Sequence, residues 1–409
     1  MDPSGEAGAK RYSRGRILDY VRLYQPVSRS RIAELSRLTP AAVSRITQEL
    51  IDAGLVIEGG AQPQGKPGRP FITLELAHAG AYVIGLGLEV SRQRLVIASL
   101  AGEPLLERDV NVASLKNPDG VLTAVTRQVP AMIRAARLPP ERIIGMGVTS
   151  IGVVDPIAGA VVRSPFLGWG RVDVAERLGQ KLGLPVVVDN HLNAINLSEI
   201  RAGVAHGRDN VIFVHATLAI GASLFFGRRL IRGTSYGAGQ IGHIRVPGAQ
   251  RQCACGRTGC LNTVASGHAI LADLEQGSGD YLPNENPATT TSRLSEVLQR
   301  CAQGDSAVQT VIYRSGRALG EVLGALCSAL NPDALMLGGA LGRDPVYAEG
   351  VREAISESMF AAPGHDMDVI ISRMRADEAA ISLALHRFAF SSDLDSRLPM
   401  LTAHAAVTP

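Results

Sequence analysis

The chain has 409 residues, of which 46% are hydrophobic and 19% charged, enough to bury more than one core and long enough for two or three domains. It contains no 18-residue apolar run and no basic-then-apolar leader, so it reads as a soluble cytoplasmic protein without a membrane span. Charge is uneven. Residues 1–70 hold eleven Lys/Arg against seven Asp/Glu, a net of +4, whereas the whole chain is only +3. A basic N-terminal module on a near-neutral remainder is the balance expected of a nucleic-acid-binding segment attached to a sensor or an enzyme.

Residues 1–12 are small and polar and read as a disordered tail. From Arg14, the apolar positions Ile17, Leu18, Val21, Leu23 and Tyr24 recur at helical spacing up to Pro26. A second helix is predicted behind a Ser28 cap, with Ile32, Ala33 and Leu35 inward. After a turn at Leu38-Thr39, Thr39 as N-cap and Pro40 at the first helical position open a third helix that runs to Ala53 and stops at Gly54. Its buried stripe is Val43, Ile46 and Leu50. Ala41, Ser44, Arg45 and Gln48 then face outward, small and hydrogen-bonding residues suited to base edges in a major groove, with Thr39 at the helix start. The pattern is a helix-turn-helix, although three such helices also occur in small interaction modules.

Leu55–Glu58 reads as a strand and Phe71–Leu76 as its return, making a wing. Between them lies GGAQPQGKPGRP, where Lys66 and Arg69 on an extended backbone suit a narrow minor groove, the plain alternative being a solvated linker. From Ala81 the chain alternates strands and helices. Tyr82–Leu88 and Leu95–Leu100 are predicted to pair, Gly145–Thr149 and Pro185–Asp189 to be later buried strands, and Val121–Ala136 and Val172–Leu182 to be helices. A similar alternation runs from Val211 to Arg387.

Within it stands GQIGHIRVPGAQRQCACGRTGCLNTVAS, residues 239–266. His243, Cys253, Cys255 and Cys260 form a Cys3His set with Gly256 and Gly259 for tight turns, the donor set of a closed structural zinc site. Redox thiols or a disulfide would also use clustered cysteines, but in a reducing compartment such clusters usually mean metal. Cys301 and Cys327 read as small core residues.

The run Gly242-His243, then CxCGxxGC, then Ala265-Ser266, resembles the signature of the ROK family of bacterial sugar kinases and sugar-responsive transcription regulators, and the resemblance extends from about Ala81 to about Phe390. It implies an α/β fold: an N-terminal winged helix-turn-helix (13–78) followed by a two-lobed actin-like (ribonuclease H-like) ROK domain (79–390), with a loose tail at 391–409. It also implies structural Zn2+, a DNA operator, a sugar-type effector and a homodimer or dimer of dimers.

Where kinases of the family carry a DxGGT phosphate turn, this chain has Gly87-Leu88-Glu89-Val90-Ser91, and where they carry GTGxG it has Thr217-Leu218-Ala219-Ile220-Gly221. Side chains stand where backbone would approach phosphate, and Glu89 would repel it. The family's ENDxN, with its catalytic Asp, is matched by Asp189-Asn190-His191-Leu192-Asn193. With neither phosphate turn kept, no enzymatic activity is expected, since phosphoryl transfer is almost wholly positioning and charge stabilisation. The resemblance places effector contacts at Asn190, His191, Gln240, His243 and Asn262. Three of these stand where the family has carboxylates, so either a ligand more anionic than glucose, such as a sugar phosphate or sugar acid, or a site that has lost its ligand is expected.

Gly304–Leu330 reads as a long helix whose Gly316, Gly320 and Gly324 permit close helix packing, as at a dimer interface, and Glu378–Phe390 as the last helix. The reading is a transcriptional repressor of carbohydrate-related genes. A sugar kinase with an appended module, or a regulator that senses a protein partner, is the alternative.

Overall fold

The structure is a computed structural model, and it describes residues 6–62, 71–90, 92–275, 287–359 and 367–390. Lys66 and Arg69, the 391–409 tail and residues 1–5 lie outside the described residues. The chain divides into two compact units, residues 1–191 with 376–409, and residues 192–375.

The first unit begins with three helices, α1 (Glu6–Tyr24), α2 (Arg29–Ser36) and α3 (Pro40–Asp52). Helix α1 starts at Glu6, inside the stretch read as disordered, because Ala7, Ala9, Lys10 and Arg11 are all strong helix formers. Ser28 Oγ caps α2 by accepting from Arg31 N, and Thr39 Oγ1 caps α3 by accepting from Ala42 N, with Pro40 next. Gly54, at φ +69°, takes the left-handed turn after α3. Three strands follow the helices in space: β1 (Val27–Ser28), β2 (Val56–Gln62) and β3 (Phe71–Leu76), in the order β1-β3-β2, with a bulge between Glu58 and Ala61. Arg29 ties the pieces together, donating from Nε to Thr47 Oγ1 on α3 and from Nη2 to Glu58 on β2.

The unit continues with β4 (Tyr82–Leu88), β5 (Gln93–Ser99), β6 (Pro104–Asp109), α4 (Pro118–Ala135), β7 (Ile143–Ser150), the hairpin β8 (Val153–Asp155) and β9 (Ala160–Arg163), α5 (Val174–Leu182) and β10 (Val186–Asn190). The sheet order is β10-β7-β4-β5-β6, with β4, β7 and β10 parallel and β5 antiparallel between β4 and β6. The closing helix Ala376–Phe388 lies directly on this sheet. A Cβ on Gly147 would come within 2.1 Å of Ala380 O, so only glycine lets helix and strand approach so closely.

Ile17, Leu18, Val43, Ile46, Leu50 and Leu74 belong to one buried cluster with Val83, Val96, Leu385 and Phe388 of the sheet and closing helix. Arg142 Nη1 donates to Gly80 O, and the Arg22 guanidinium lies 4.9 Å from the centre of the Phe390 ring. The boundary expected at residues 78 and 79 is therefore crossed by a continuous core.

The second unit holds most of α6 (His191–Ala202), then β11 (Val211–Ala216), β12 (Ile220–Phe226), β13 (Arg229–Ile231), α7 (Asn262–Ala265), α8 (Gly267–Leu274), α9 (Pro287–Ala302), α10 (Ser306–Leu330), β14 (Ala334–Gly338), α11 (Gly339–Gly342), α12 (Pro345–Ser358) and β15 (Asp368–Ile371). Its sheet, β13-β12-β11-β14-β15, repeats the first one strand for strand, with β12 antiparallel to its neighbours and β11, β14 and β15 parallel. This is the duplicated ribonuclease H-like topology that the resemblance implies. Cys301 and Cys327 lie in the unit's core. Among the described residues, no helix is long and apolar enough to cross a membrane.

The glycine stripe of α10 is not a free docking face. A Cβ on Gly316 would stand 2.2 Å from Tyr347 O and one on Gly320 2.6 Å from Val351 O, so the stripe packs against α12 of the same chain. A Gly316→Ala variant is expected to lose about 1–3 kcal/mol of stability by overpacking, read as a lower denaturation midpoint in urea.

Candidate functional site

The metal-binding candidates come together. The donor atoms of His243, Cys253, Cys255 and Cys260 all lie within 4.8 Å of one another. Cys253 Sγ is 3.7 Å from His243 Nδ1, and Cys255 Sγ is 3.6 Å from Cys260 Sγ. Tetrahedral zinc with Zn–S bonds of about 2.3 Å separates its sulfurs by about 3.7 Å, so the four donors fit that ion.

Local backbone explains the convergence. Residues 245–260 fold back through bridges Arg245–Cys260 and Gln252–Thr258, and Cys253 N donates to Arg257 O. Gly256 and Gly259 sit at φ +84° and +77°, and a Cβ on Gly259 would meet Ala249 O at 2.6 Å. Arg251 and Arg314 both pair with Asp273, which ties the loop to α8 and α10.

The thiols do not ionise easily together without a cation. Burial pushes the Cys260 thiol up to about 12, reinforced by its cysteine neighbours, and burial likewise raises Cys253. Burial also pushes Cys255 up, but hydrogen bonds from the Arg257 side chain and backbone outweigh it and leave that thiol at about 7. Burial, then the Arg257 charge, lowers the His243 imidazole and favours its neutral, ligating form. Zinc bound here would supply cross-linking, because Cys3His fills all four positions.

The candidate effector residues are less uniform. Asn190, the last residue of β10, is half-buried, and its Nδ2 donates to Gly152 O at 2.7 Å. His191 begins α6, and burial pushes its imidazole down to about 4, partly offset by a hydrogen bond with the Ser150 backbone. It is therefore neutral at physiological pH and offers no positive charge to an anion. Gln240 is exposed, just before the helical turn Ile241–His243. His243 turns Nδ1 toward the thiols, leaving Nε2 on the opposite edge of the ring.

Asn262 makes a backbone contact. It is 3% exposed, and its Oδ1 accepts from Ile220 N at 2.8 Å, so it braces the turn before β12. The contact uses its acceptor oxygen, which depends on a residue far away in the chain. Of the three residues behind the anionic-ligand expectation, His191 supplies no charge.

The two turns matched to kinase phosphate loops are held by contacts within this chain. A Cβ on Gly87 would lie 3.1 Å from Asp377 N, so the closing helix packs tightly against this strand. Glu89 N and O bond to Arg92 O and Gln93 Nε2. The turn at Thr217 is held by Thr217 N donating to Ala219 O. Asp333, just before β14, accepts from the backbone N–H groups of Asp209 and Asn210, an architectural use.

At the N-terminal module, Thr39, Ala41, Ser44, Arg45 and Gln48 are all exposed, while Val43, Ile46, Thr47 and Leu50 are buried. Arg45 Nη1 bonds Glu49 Oε1 at 2.5 Å, and Gln48 Nε2 donates to Asp52 Oδ1 at 2.9 Å. Sequence reading missed Glu49 and Arg14, which pair across α3 and α1.

A winged helix-turn-helix built onto a duplicated ribonuclease H-like fold with a Cys3His loop defines a protein of the sugar-kinase architecture with a DNA-binding type of module. The ROK family model matches residues 86–385, and the chain belongs to the ROK family. It is 27% identical over 361 residues to a xylose repressor of Caldicellulosiruptor bescii, covering 87% of this chain and 90% of that protein. A crystal structure of a ROK family transcriptional regulator, a homolog of the Escherichia coli Mlc protein, superposes with a TM-score of 0.79 at 24% identity, covering 95% of this chain and 99% of that one. A ROK family glucokinase from Streptomyces griseus, crystallised with glucose and AMPPNP, gives a TM-score of 0.60 at 22% identity over 74% of this chain and 98% of its own.

Proposed function

We propose that the chain is a sequence-specific transcriptional repressor of carbohydrate-related genes, that a sugar or sugar derivative controls it, and that it has no kinase activity. The observation that carries this reading is the outward face of α3: a capped helix with four exposed, short or hydrogen-bonding residues in its first turns, on a core continuous with the first sheet. The kinship with a xylose repressor supports the sugar class of effector. Loss of the phosphate-turn glycines supports the absence of phosphoryl transfer.

DNA contact is assigned to Thr39, Ala41, Ser44, Arg45 and Gln48, and to Lys66 and Arg69, which lie outside the described residues. One such module reads one half-site, so a homodimer or dimer of dimers on a near-palindromic operator follows. Effector contact is assigned to Asn190, His191, Gln240, His243 and Asn262, and structural zinc to His243, Cys253, Cys255 and Cys260. A DNA target and a zinc set of three cysteines support a cytoplasmic location.

In a mobility-shift assay with the DNA upstream of its own gene, the expected result is a shift that survives excess random competitor DNA. Phosphorylation of hexoses by ATP with no DNA shift would overturn the proposal.

A further inference from the structure

Helix α3 carries an acid on the side proposed to meet a polyanion. Glu49 follows Arg45 by one helical turn and takes its Nη1 at 2.5 Å, while its other oxygen pairs with Arg14 of α1. The Arg45 side chain is 43% exposed and that of Glu49 30%. The i,i+4 pair itself adds only about 0.3–0.5 kcal/mol to a helix, and the half-buried pair with Arg14 ties α1 to α3. Its electrostatic consequence is larger. All duplex DNA presents the same phosphates, and a carboxylate held here lowers attraction to every sequence alike. Arg14 keeps that carboxylate from swinging away, and Glu49 in turn holds Arg45 back along α3.

We propose that Glu49 is a specificity-determining residue: it neutralises and retains Arg45, so that random DNA is held weakly and a base edge able to take the guanidinium in bidentate fashion draws Arg45 off the carboxylate. This rests on the DNA-binding reading above. The residue acts as a penalty common to all sequences, which the correct one alone repays.

The test is fluorescence anisotropy with a random-sequence duplex over a series of salt concentrations, using the full-length wild type, Glu49→Gln and the Arg45→Ala/Glu49→Gln double variant, with circular dichroism and thermal unfolding alongside. Glu49→Gln is expected to bind the random duplex roughly tenfold more tightly at 0.1 M salt, with a log–log salt slope steeper by about one. The double variant is expected to return to wild-type affinity. Unchanged random-DNA affinity in Glu49→Gln, or a gain that persists without Arg45, would overturn the proposal. Wild type that binds no DNA even at low salt would instead remove the DNA-binding reading itself. Should Glu49→Gln lose its fold, Glu49→Ala answers the same question.

Discussion

A Cys260→Ser variant is expected to emerge from purification nearly free of zinc, against about one ion per wild-type chain, and to unfold about 10 °C earlier. Cys260 is 1% exposed and stands 3.6 Å from Cys255, so a serine in its place leaves a buried hydroxyl facing two thiols. Hydroxyl oxygen is a poor zinc ligand beside thiolates, and structural zinc contributes on the order of 10 kcal/mol to the folding of small sites. The loss spreads through named contacts: Leu261 N donates to Ile244 O, and Arg251 pairs with Asp273 of α8. His243 would lose the ion that orients its ring. Metal analysis and thermal unfolding check this. Full zinc content with an unchanged unfolding temperature would mean that the four donors converge for another reason.

Replacing Ser44, Arg45 and Gln48 together by alanine is expected to weaken operator binding by about two to four orders of magnitude, since each good bidentate base contact is worth about 1–3 kcal/mol. The helix itself survives. Its buried stripe of Val43, Ile46 and Leu50 is untouched, its Thr39 cap remains, and alanine has the best helix propensity. The far-ultraviolet spectrum therefore stays the same while affinity falls. Operator affinity within threefold of wild type would place base recognition elsewhere, on the wing or α2.

Elements with strong local punctuation were legible in the sequence. Thr39, Pro40 and Gly54 marked both ends of α3, and metal spacing picked out four donors that the fold brings together. Elements without local punctuation were not. Strand β1 has two residues and exists only because Val27 and Ser28 pair with Leu74 and Thr73. Strand β6 is exposed along almost its whole length, so it shows no alternation to read. The glycine stripe of α10 announced close packing, but sequence could not say that its partner was α12. At the candidate site, residue types revealed the lost phosphate turns, whereas the use of Asn262 for Ile220 N and the closing helix over Gly87 depend on contacts far apart in the chain.

In the proposed function a sugar-class ligand and an operator are linked through this chain. The dissociation constant for its upstream DNA, titrated with neutral, amino, acidic and phosphorylated sugars, tests that linkage. One class is expected to weaken the complex by about 5- to 150-fold, a coupling of about 1–3 kcal/mol, and DNA to weaken that sugar's binding by the same factor. A specific DNA complex that no sugar of any class alters would contradict it.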